Sequence, residues 1–300
     1  MRSFKVFFAL LVLGFSVCVH AAETPVRLGS QGPEGAPNRR QQWLVPSPDP
    51  GTPAHALLFR PPGEGPFPLA VIAHASTQNV LRRAQMPQPE YAALAAWLVA
   101  RGFAVLVPER PGHGATGGKY LEDQGGCDEA NYSRAGYATA DSIKAALGFL
   151  HGEVFIQPEG TVVIGHSAGG WGALALAGED PKSIASIIVF APGRGGHAND
   201  APGQVCASQT LIASAAEFGE DAQVPVAWLV AANDTYFPPE LSKQMADAFR
   251  KGGDKVDFRV LPAFRSEGHW LAETDGAEKI YGPILESGFK AAAMKSAKKK

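Results

Sequence analysis

Residues 162–172 read VVIGHSAGGWG, so that a run of β-branched residues leads into a serine among glycines. Gly165 lies two residues before Ser167, and Gly169 lies two residues after it. A serine presented on a sharp turn between a strand and a helix requires such neighbours, because a Cβ at either position would clash where the chain folds back. With 34 glycines in the chain the spacing can arise by chance. The surrounding elements therefore decide its meaning.

Around this stretch, apolar runs typical of buried strands alternate with helical patterns. The predicted strands contain the runs QQWLVPS, AHALLFRPP, FPLAVIAHAS, FAVLVPERPGHG, GTVVIGHS, SIASIIVFAPG, VPVAWLVAAND and KVDFRVLPAF. The predicted helices contain PEYAALAAWLVARGF, YATADSIKAALGFLHG, AGGWGALALAGED, PPELSKQMADAFRKGG and DGAEKIYGPILESGFKAAA. The alternation predicts an α/β fold with a mostly parallel sheet and helices on both faces. The loops at the carboxyl ends of the strands, including the one at Ser167, then become the candidate site.

The composition excludes several classes of partner. The 300 residues are 45% hydrophobic and 19% charged, which allows a sizeable core and is not typical of a disordered chain. A formal net charge of -2 provides no basic field for nucleic acid or anionic lipid. We therefore predict a small-molecule substrate and no nucleic-acid partner.

The N-terminus has the pattern of a secretory signal peptide. Two cations in MRSFK precede the apolar run VFFALLVLGFSVCV, and HAAE supplies small residues for cleavage. This pattern predicts a signal peptide over residues 1–22 and a periplasmic or secreted protein, without stable membrane insertion after cleavage. A membrane anchor is the alternative, although the run is shorter than the roughly 20 residues that span a bilayer. Lipidation of Cys18 is disfavoured by the bulky Val17 before it.

After the signal peptide we predict an extended lead-in over residues 23–38, an α/β domain over residues 39–293 and a basic tail over residues 294–300. Two cysteines, Cys127 and Cys206, would remain after removal of the predicted signal peptide. An oxidising compartment favours a disulfide between them. Two buried, unpaired thiols are the alternative.

A serine hydroxyl is a useful nucleophile only when a base takes its proton. Among the eight histidines, His269 lies in a loop between the last predicted strand and the last predicted helix. Asp234 directly follows a buried strand and can orient the histidine, although an aspartate before a proline-rich stretch is also a common turn residue. Glu109 ends a strand too, but it would break the order of serine, acid and histidine along the chain. We predict Ser167, Asp234 and His269 as the catalytic residues.

The developing oxyanion requires two hydrogen-bond donors. One is the backbone N–H of Ala168, at the start of the helix after Ser167, where unpaired N–H groups favour an anion. The second is predicted in the loop after AVIAHAS, at the N–H of Ser76, with Ala75 as the next choice.

The motifs GHSAGG, AANDTYFPP and SEGHW, in this order, resemble those of the α/β-hydrolase superfamily, within it the dienelactone hydrolase-like and prolyl-oligopeptidase-like serine hydrolases. The resemblance covers residues 39–292. It implies an eight-stranded, largely parallel sheet with an antiparallel second strand, and hydrolysis of an ester, thioester or amide through an acyl-enzyme. Dienelactone hydrolases use a cysteine where this chain has Ser167, so their lactone substrate is not implied. No β-propeller precedes the domain, so cleavage of size-selected oligopeptides is not implied either.

Two insertions, residues 111–134 and 192–215, are expected to form a small lid above the site. Each contains one of the two cysteines, so a disulfide would stiffen the lid. Arg194, Tyr236 and Phe237 are candidates for substrate contact. Arg194 could bind a substrate carboxylate, or it could pair with a local acid such as Asp200.

The chain is therefore predicted to be an exported serine hydrolase that cleaves small carboxylic esters. A peptidase or amidase is the first alternative, and the amine of a short peptide would then need a carboxylate near the site, for which Glu109 and Asp123 are the candidates. A non-catalytic ligand-binding module is a further alternative, but it predicts a broken set of catalytic residues. Nothing in the sequence calls for a metal or an organic cofactor.

Overall fold

The computed structural model of the chain describes residues 26–178, 183–252 and 256–297. The predicted signal peptide and residues 298–300 of the predicted tail lie outside the described residues. The strands are β1 (Gly29–Ser30), β2 (Gln41–Val45), β3 (Ala54–Phe59), β4 (Leu69–Ala73), β5 (Ala104–Pro108), β6 (Thr161–His166), β7 (Ile184–Phe190), β8 (Val226–Ala231) and β9 (Val256–Leu261). The α-helices are α1 (Val80–Ala84), α2 (Ala92–Val99), α3 (Tyr132–Leu150), α4 (Ala168–Ala175), α5 (Ser208–Glu220), α6 (Pro239–Arg250) and α7 (Glu278–Ala297).

The described strands form one open sheet in the order β1-β2-β3-β5-β4-β6-β7-β8-β9. Six strands are parallel to one another: β5, β4, β6, β7, β8 and β9. Strand β3 is antiparallel to both β2 and β5. The predicted α/β fold is confirmed, including the antiparallel strand near the N-terminus. The predicted number of eight strands is wrong by one, because Gly29 and Ser30 of the lead-in pair with Leu44 and Trp43 to add β1.

Each face of the sheet carries its own apolar core, because side chains of successive strand residues point to opposite faces. In β4, Val71 and Ala73 belong to one core, and Ala70 and Ile72 belong to the other. Helices α3, α4, α5 and α6 cover the first face, and α2 and α7 cover the second. The continuous apolar runs of the sequence are therefore explained by burial on both sides.

Four helices differ from the sequence-based expectation. The short helix α1 was not predicted, and Asn79 caps it. Helix α3 begins at Tyr132, within the first predicted insertion, because the side chain of Asn131 caps it. Helix α5 lies largely inside the second insertion, where a loop is predicted. Its buried residues include Leu211, Ala215 and Phe218, a helical spacing that the sequence contains. Helix α7 continues through Ala297 and so includes the start of the predicted tail. None of the described helices has both the length and the hydropathy of a membrane span.

Cys127 and Cys206 form a disulfide, as predicted. The bond joins the loop before α3 to the residues just before α5, and the Tyr132 hydroxyl donates a hydrogen bond to the Cys206 carbonyl beside it. The disulfide therefore connects the two insertions next to the edge of the sheet where the candidate residues lie.

Reducing the disulfide is expected to lower the free energy of unfolding by about 4 kcal/mol, because the bond closes a loop between positions 79 residues apart and so restricts the unfolded chain. Urea unfolding with and without a reductant measures the loss. A variant with both Cys127→Ser and Cys206→Ser should be insensitive to the reductant. Two free thiols in the native protein, found by mass spectrometry after alkylation, would contradict the disulfide.

Candidate active site

Ser167 occupies the single position between β6 and α4, where its backbone adopts φ 53° and ψ -118°. This left-handed conformation is unusual for a residue with a side chain and is typical of a serine lifted on a strand-to-helix turn. A Cβ at Gly169 would lie 2.1 Å from the Ala73 carbonyl oxygen, and a Cβ at Gly165 would lie 2.4 Å from the Gly170 Cα. The flanking glycines are thus required by close backbone approach, for the reason predicted from the sequence.

His269 and Asp234 are brought together from the loops after β9 and β8. His269 Nδ1 lies 3.1 Å from Asp234 Oδ2, and both side chains are buried. Asp234 Oδ1 accepts hydrogen bonds from the backbone N–H groups of Tyr236 and Phe237, both at 2.8 Å. Asp234 is therefore a turn residue through one carboxylate oxygen and a histidine partner through the other, so its two interpretations are compatible.

Ser167 and His269 line the same cavity. Neither the Ser167 hydroxyl nor His269 Nε2 has a hydrogen-bond partner among the described residues. Such bonds are often long in structures without a substrate and shorten in the complex. The ring nitrogen that would receive the serine proton is thus unoccupied, while the other is held by Asp234.

The two predicted oxyanion donors carry free backbone N–H groups within the described structure. Ala168 is the first residue of α4, and its N–H has no carbonyl partner within the helix. Ser76 N–H has no hydrogen-bond partner among the described residues, whereas Ala75 N–H donates to the Tyr91 hydroxyl at 3.1 Å. The geometry thus favours Ser76 over Ala75. All of these roles stay predictions.

The Ser76 side chain is held by a histidine that sequence reasoning did not assign to the site. His113 Nε2 lies 2.7 Å from Ser76 Oγ, and His113 Nδ1 lies 3.0 Å from the Arg110 carbonyl oxygen. Burial is the main cause that lowers the pKa of His113 to about 4. The imidazole is therefore neutral near pH 7, with Nδ1 donating to the carbonyl and Nε2 accepting from the Ser76 hydroxyl.

Arg194 lies in a buried ion network rather than free in the cavity. It donates to Glu122 and also donates to Thr139 Oγ1 at 2.7 Å. Arg110 donates to the other Glu122 oxygen at 2.5 Å. Of the two possibilities left open for Arg194, pairing with an acid is the one observed, and that acid is Glu122 rather than Asp200. Arg194 also lines the cavity, and its predicted contact with a substrate carboxylate stays a prediction.

Burial alone would raise the pKa of Glu122, but the guanidiniums of Arg110 and Arg194 hold it well below its usual value. The carboxylate is therefore ionised at neutral pH. It ties the loop after β5 to the loop after β7 through the first insertion. No local sequence signal marks Glu122, because both of its partners are distant in the chain.

The cavity in front of Ser167 has a volume of about 1090 Å³. Its wall combines aromatic rings, including Tyr91, Tyr120 and Trp270, with several carboxamide side chains. The first predicted lid insertion contributes only Tyr120 and Gln124, and the second contributes residues between 193 and 200. Much of the wall comes instead from residues 75–92, a segment around α1 that sequence reasoning did not assign to the lid. The two predicted insertions therefore account for only part of the cavity wall.

Tyr236 and Phe237 both line the cavity. The Tyr236 ring stacks on the His269 ring with centroids 4.3 Å apart, and its other neighbour, His197, stacks on it at 3.5 Å. The stacking holds the imidazole of His269 in place. Because the face of an aromatic ring favours a cation beside it, Tyr236 would also stabilise His269 in its protonated form. The predicted substrate contacts of Tyr236 and Phe237 stay predictions.

No group of three or more His, Cys, Asp or Glu side chains in the described residues is arranged to hold a metal ion. The fold and the candidate site together define a hydrolase. A family model described as "Alpha/beta hydrolase family" matches residues 71–287, and the chain belongs to this family. No curated protein matches the chain significantly.

Solved structures with this fold include enzymes of different specificity. The chain is similar to a cold-adapted esterase from an Arctic intertidal metagenomic library, with 16% identity, 86% of this chain and 97% of that chain covered, and a TM-score of 0.58. It is also similar to a protein assigned as a dienelactone hydrolase from Klebsiella pneumoniae, with 14% identity, 80% of this chain and 93% of that chain covered, and a TM-score of 0.52.

A puromycin-hydrolyzing peptidase from Mycobacterium tuberculosis is similar to the chain at 20% identity and a TM-score of 0.52, with 81% of this chain but only 40% of that chain covered. At these identities the three likenesses show the fold alone.

Proposed function

We propose that the protein is an exported serine hydrolase that cleaves small carboxylic esters through an acyl-enzyme. The observation that carries the proposal is the 3.1 Å contact of His269 with Asp234, on the wall of the cavity that Ser167 also faces. The strained backbone of Ser167 supports its role as the nucleophile. The esterase among the similar structures is consistent with this substrate class.

In the proposed mechanism, His269 Nε2 takes the proton of Ser167 while Ser167 Oγ forms a bond to the ester carbonyl carbon. The N–H groups of Ala168 and Ser76 stabilise the oxyanion that develops. The C–O bond to the alcohol then breaks, and His269 returns the proton to the leaving oxygen. Water, activated by the same histidine, attacks the acyl-enzyme, which releases the acid and restores Ser167. Asp234 keeps His269 in the required tautomer and stabilises the imidazolium.

Export is part of the proposal, and the predicted signal peptide is its main support. A disulfide is typical of a chain that folds in an oxidising compartment. Determining the N-terminus of the mature protein after expression with its native leader would test export, and an intact Met1 in the mature protein would contradict it.

A peptidase or amidase is a second candidate, and the observation that favours it is the position of Glu273. The two carboxylates that the sequence suggested as partners for a substrate amine, Glu109 and Asp123, are not among the described residues that line the cavity. Glu273 does line it, and the charge of this carboxylate is not paired with a described lysine or arginine. Burial raises the pKa of Glu273, and nearby His269 acts in the opposite direction.

A fluorophosphonate probe and a matched pair of substrates test these candidates. We expect the probe to label the protein at Ser167, and we expect p-nitrophenyl acetate to be cleaved much faster than p-nitroacetanilide. Faster cleavage of an aminoacyl anilide than of the ester would favour the peptidase. Absence of both labelling and hydrolysis would favour the non-catalytic module.

A further inference from the structure

Two buried side chains form a hydrogen-bonded bridge between three parts of the candidate site. Ala75 N–H donates to the Tyr91 hydroxyl at 3.1 Å. The Tyr91 oxygen lies 3.0 Å from His166 Nδ1. His166 Nε2 lies 2.8 Å from the His269 carbonyl oxygen. Tyr91 and His166 are 5% and 1% exposed, so these bonds are largely shielded from water.

Only one arrangement of protons satisfies every bond of this bridge. The His269 carbonyl can only accept, so His166 Nε2 must carry a proton. Burial first, and then the neighbouring His269, lower the pKa of His166 to about 3. The neutral ring therefore accepts at Nδ1. Burial also raises the pKa of Tyr91, so its hydroxyl stays protonated and donates to His166, which leaves the Tyr91 oxygen free to accept from Ala75 N–H.

The ends of the bridge lie next to the proposed catalytic groups. Ala75 precedes Ser76, whose N–H is the proposed second oxyanion donor, and His166 precedes Ser167. The His166 ring also lies against the His269 ring, with centroids 5.0 Å apart. Tyr91 itself has φ 48°, a left-handed conformation that is rare for a tyrosine and persists only where its surroundings require it.

We propose that Tyr91 and His166 are positioning residues that set the distances between the oxyanion loop, the Ser167 turn and the His269 loop. The inference rests on the proposed function, since it concerns the same reaction. Neither residue touches the reacting atoms in this role. Their effect is on geometry, and a misplacement of about 1 Å in a catalytic group can cost roughly 100-fold in rate.

Tyr91→Phe is the first test, because it removes only the central hydroxyl of the bridge. We expect kcat for p-nitrophenyl acetate to fall roughly 10- to 100-fold per active site titrated with a fluorophosphonate, with KM nearly unchanged. Tyr281→Phe is a matched control, because Tyr281 is also buried and its hydroxyl has no hydrogen-bond partner among the described residues. This control should keep the wild-type kcat.

A second pair of variants tests the His166 end. His166→Gln keeps a donor that can reach the His269 carbonyl, whereas His166→Leu fills similar space without one. We expect the glutamine variant to retain more kcat per titrated site than the leucine variant. The double variant Tyr91→Phe/His166→Leu should show a smaller fold-decrease in kcat than the product of the fold-decreases of the two single variants. Both changes break the same bridge, so their effects are not independent.

The outcomes separate this inference from the proposed function. A wild-type protein that the probe does not label would contradict the proposed function. A labelled wild type with unchanged kcat per site in both Tyr91→Phe and His166→Leu, and only a lower melting temperature, would make the bridge purely structural and overturn the inference. If these variants do not fold, ¹⁵N NMR of the wild type still decides, because a proton on His166 Nδ1 instead of Nε2 at pH 7 contradicts the bridge.

Discussion

Ser167→Ala is expected to lower the turnover of p-nitrophenyl esters by several orders of magnitude, on the order of 10⁶-fold if removal of the nucleophile has its usual effect. The remaining rate would come from the oxyanion donors and from substrate binding. The fold should persist, because alanine fits the space of serine and the flanking glycines are unchanged. Steady-state kinetics and thermal unfolding followed by circular dichroism measure the two effects.

Ser186→Ala is a suitable control for this experiment. Ser186 lies in β7, and its buried hydroxyl has no hydrogen-bond partner in the described part of the chain. The substitution removes the same atom away from the cavity, so kcat should stay at the wild-type value. Ester hydrolysis retained in a purified Ser167→Ala protein would falsify the assignment of the nucleophile.

Glu122→Gln is expected to lower the free energy of unfolding by about 3–5 kcal/mol, because it breaks a buried ion network by removing one partner. Glu122, Arg110 and Arg194 are 2%, 1% and 4% exposed. Without the carboxylate, two guanidinium groups would remain buried near each other with no compensating charge. Urea unfolding at pH 7 measures the difference in the free energy of unfolding.

The pH dependence of this difference has a definite sign. The folded-state pKa of Glu122 lies well below the usual value of 4.5, so the carboxylate stabilises the fold fully above that value. This contribution is lost as the pH falls from about 4.5 through the lower folded-state pKa. The variant and the wild type should therefore become more alike in stability in acid.

Asp247→Asn is the matched control for Glu122→Gln. Asp247 also lies between two cations, Lys243 and Arg250, but on the exposed surface of α6. Its replacement should cost less than about 1 kcal/mol, because solvent screens surface ion pairs. If Glu122→Gln and Asp247→Asn lower the free energy of unfolding by the same small amount, the buried network does not stabilise the protein as argued.

Much of the fold could be predicted because its signals are local. Continuous apolar runs such as that of β4 reveal strands buried on both faces, and GHSAGG reveals a tight turn whose glycines the structure requires. Helix α5 was missed although Leu211, Ala215 and Phe218 have helical spacing, because residues 192–215 were assigned to a loop insertion. The two-residue strand β1 could not be recognised, since its pairing with β2 depends on tertiary contact rather than on its own residues.

By itself the sequence determined the alternation of most strands and helices, the edge of the sheet where the candidate residues lie and the choice of Ser167, Asp234 and His269 as candidates. These follow from backbone sterics and from the burial of apolar side chains, which act over short stretches of the chain. Only the tertiary structure decided that Arg194 pairs with Glu122 and that Tyr91 and His166 connect three loops. Buried hydrogen bonds and ion pairs join residues far apart in the chain, and their partners depend on which groups folding removes from water together.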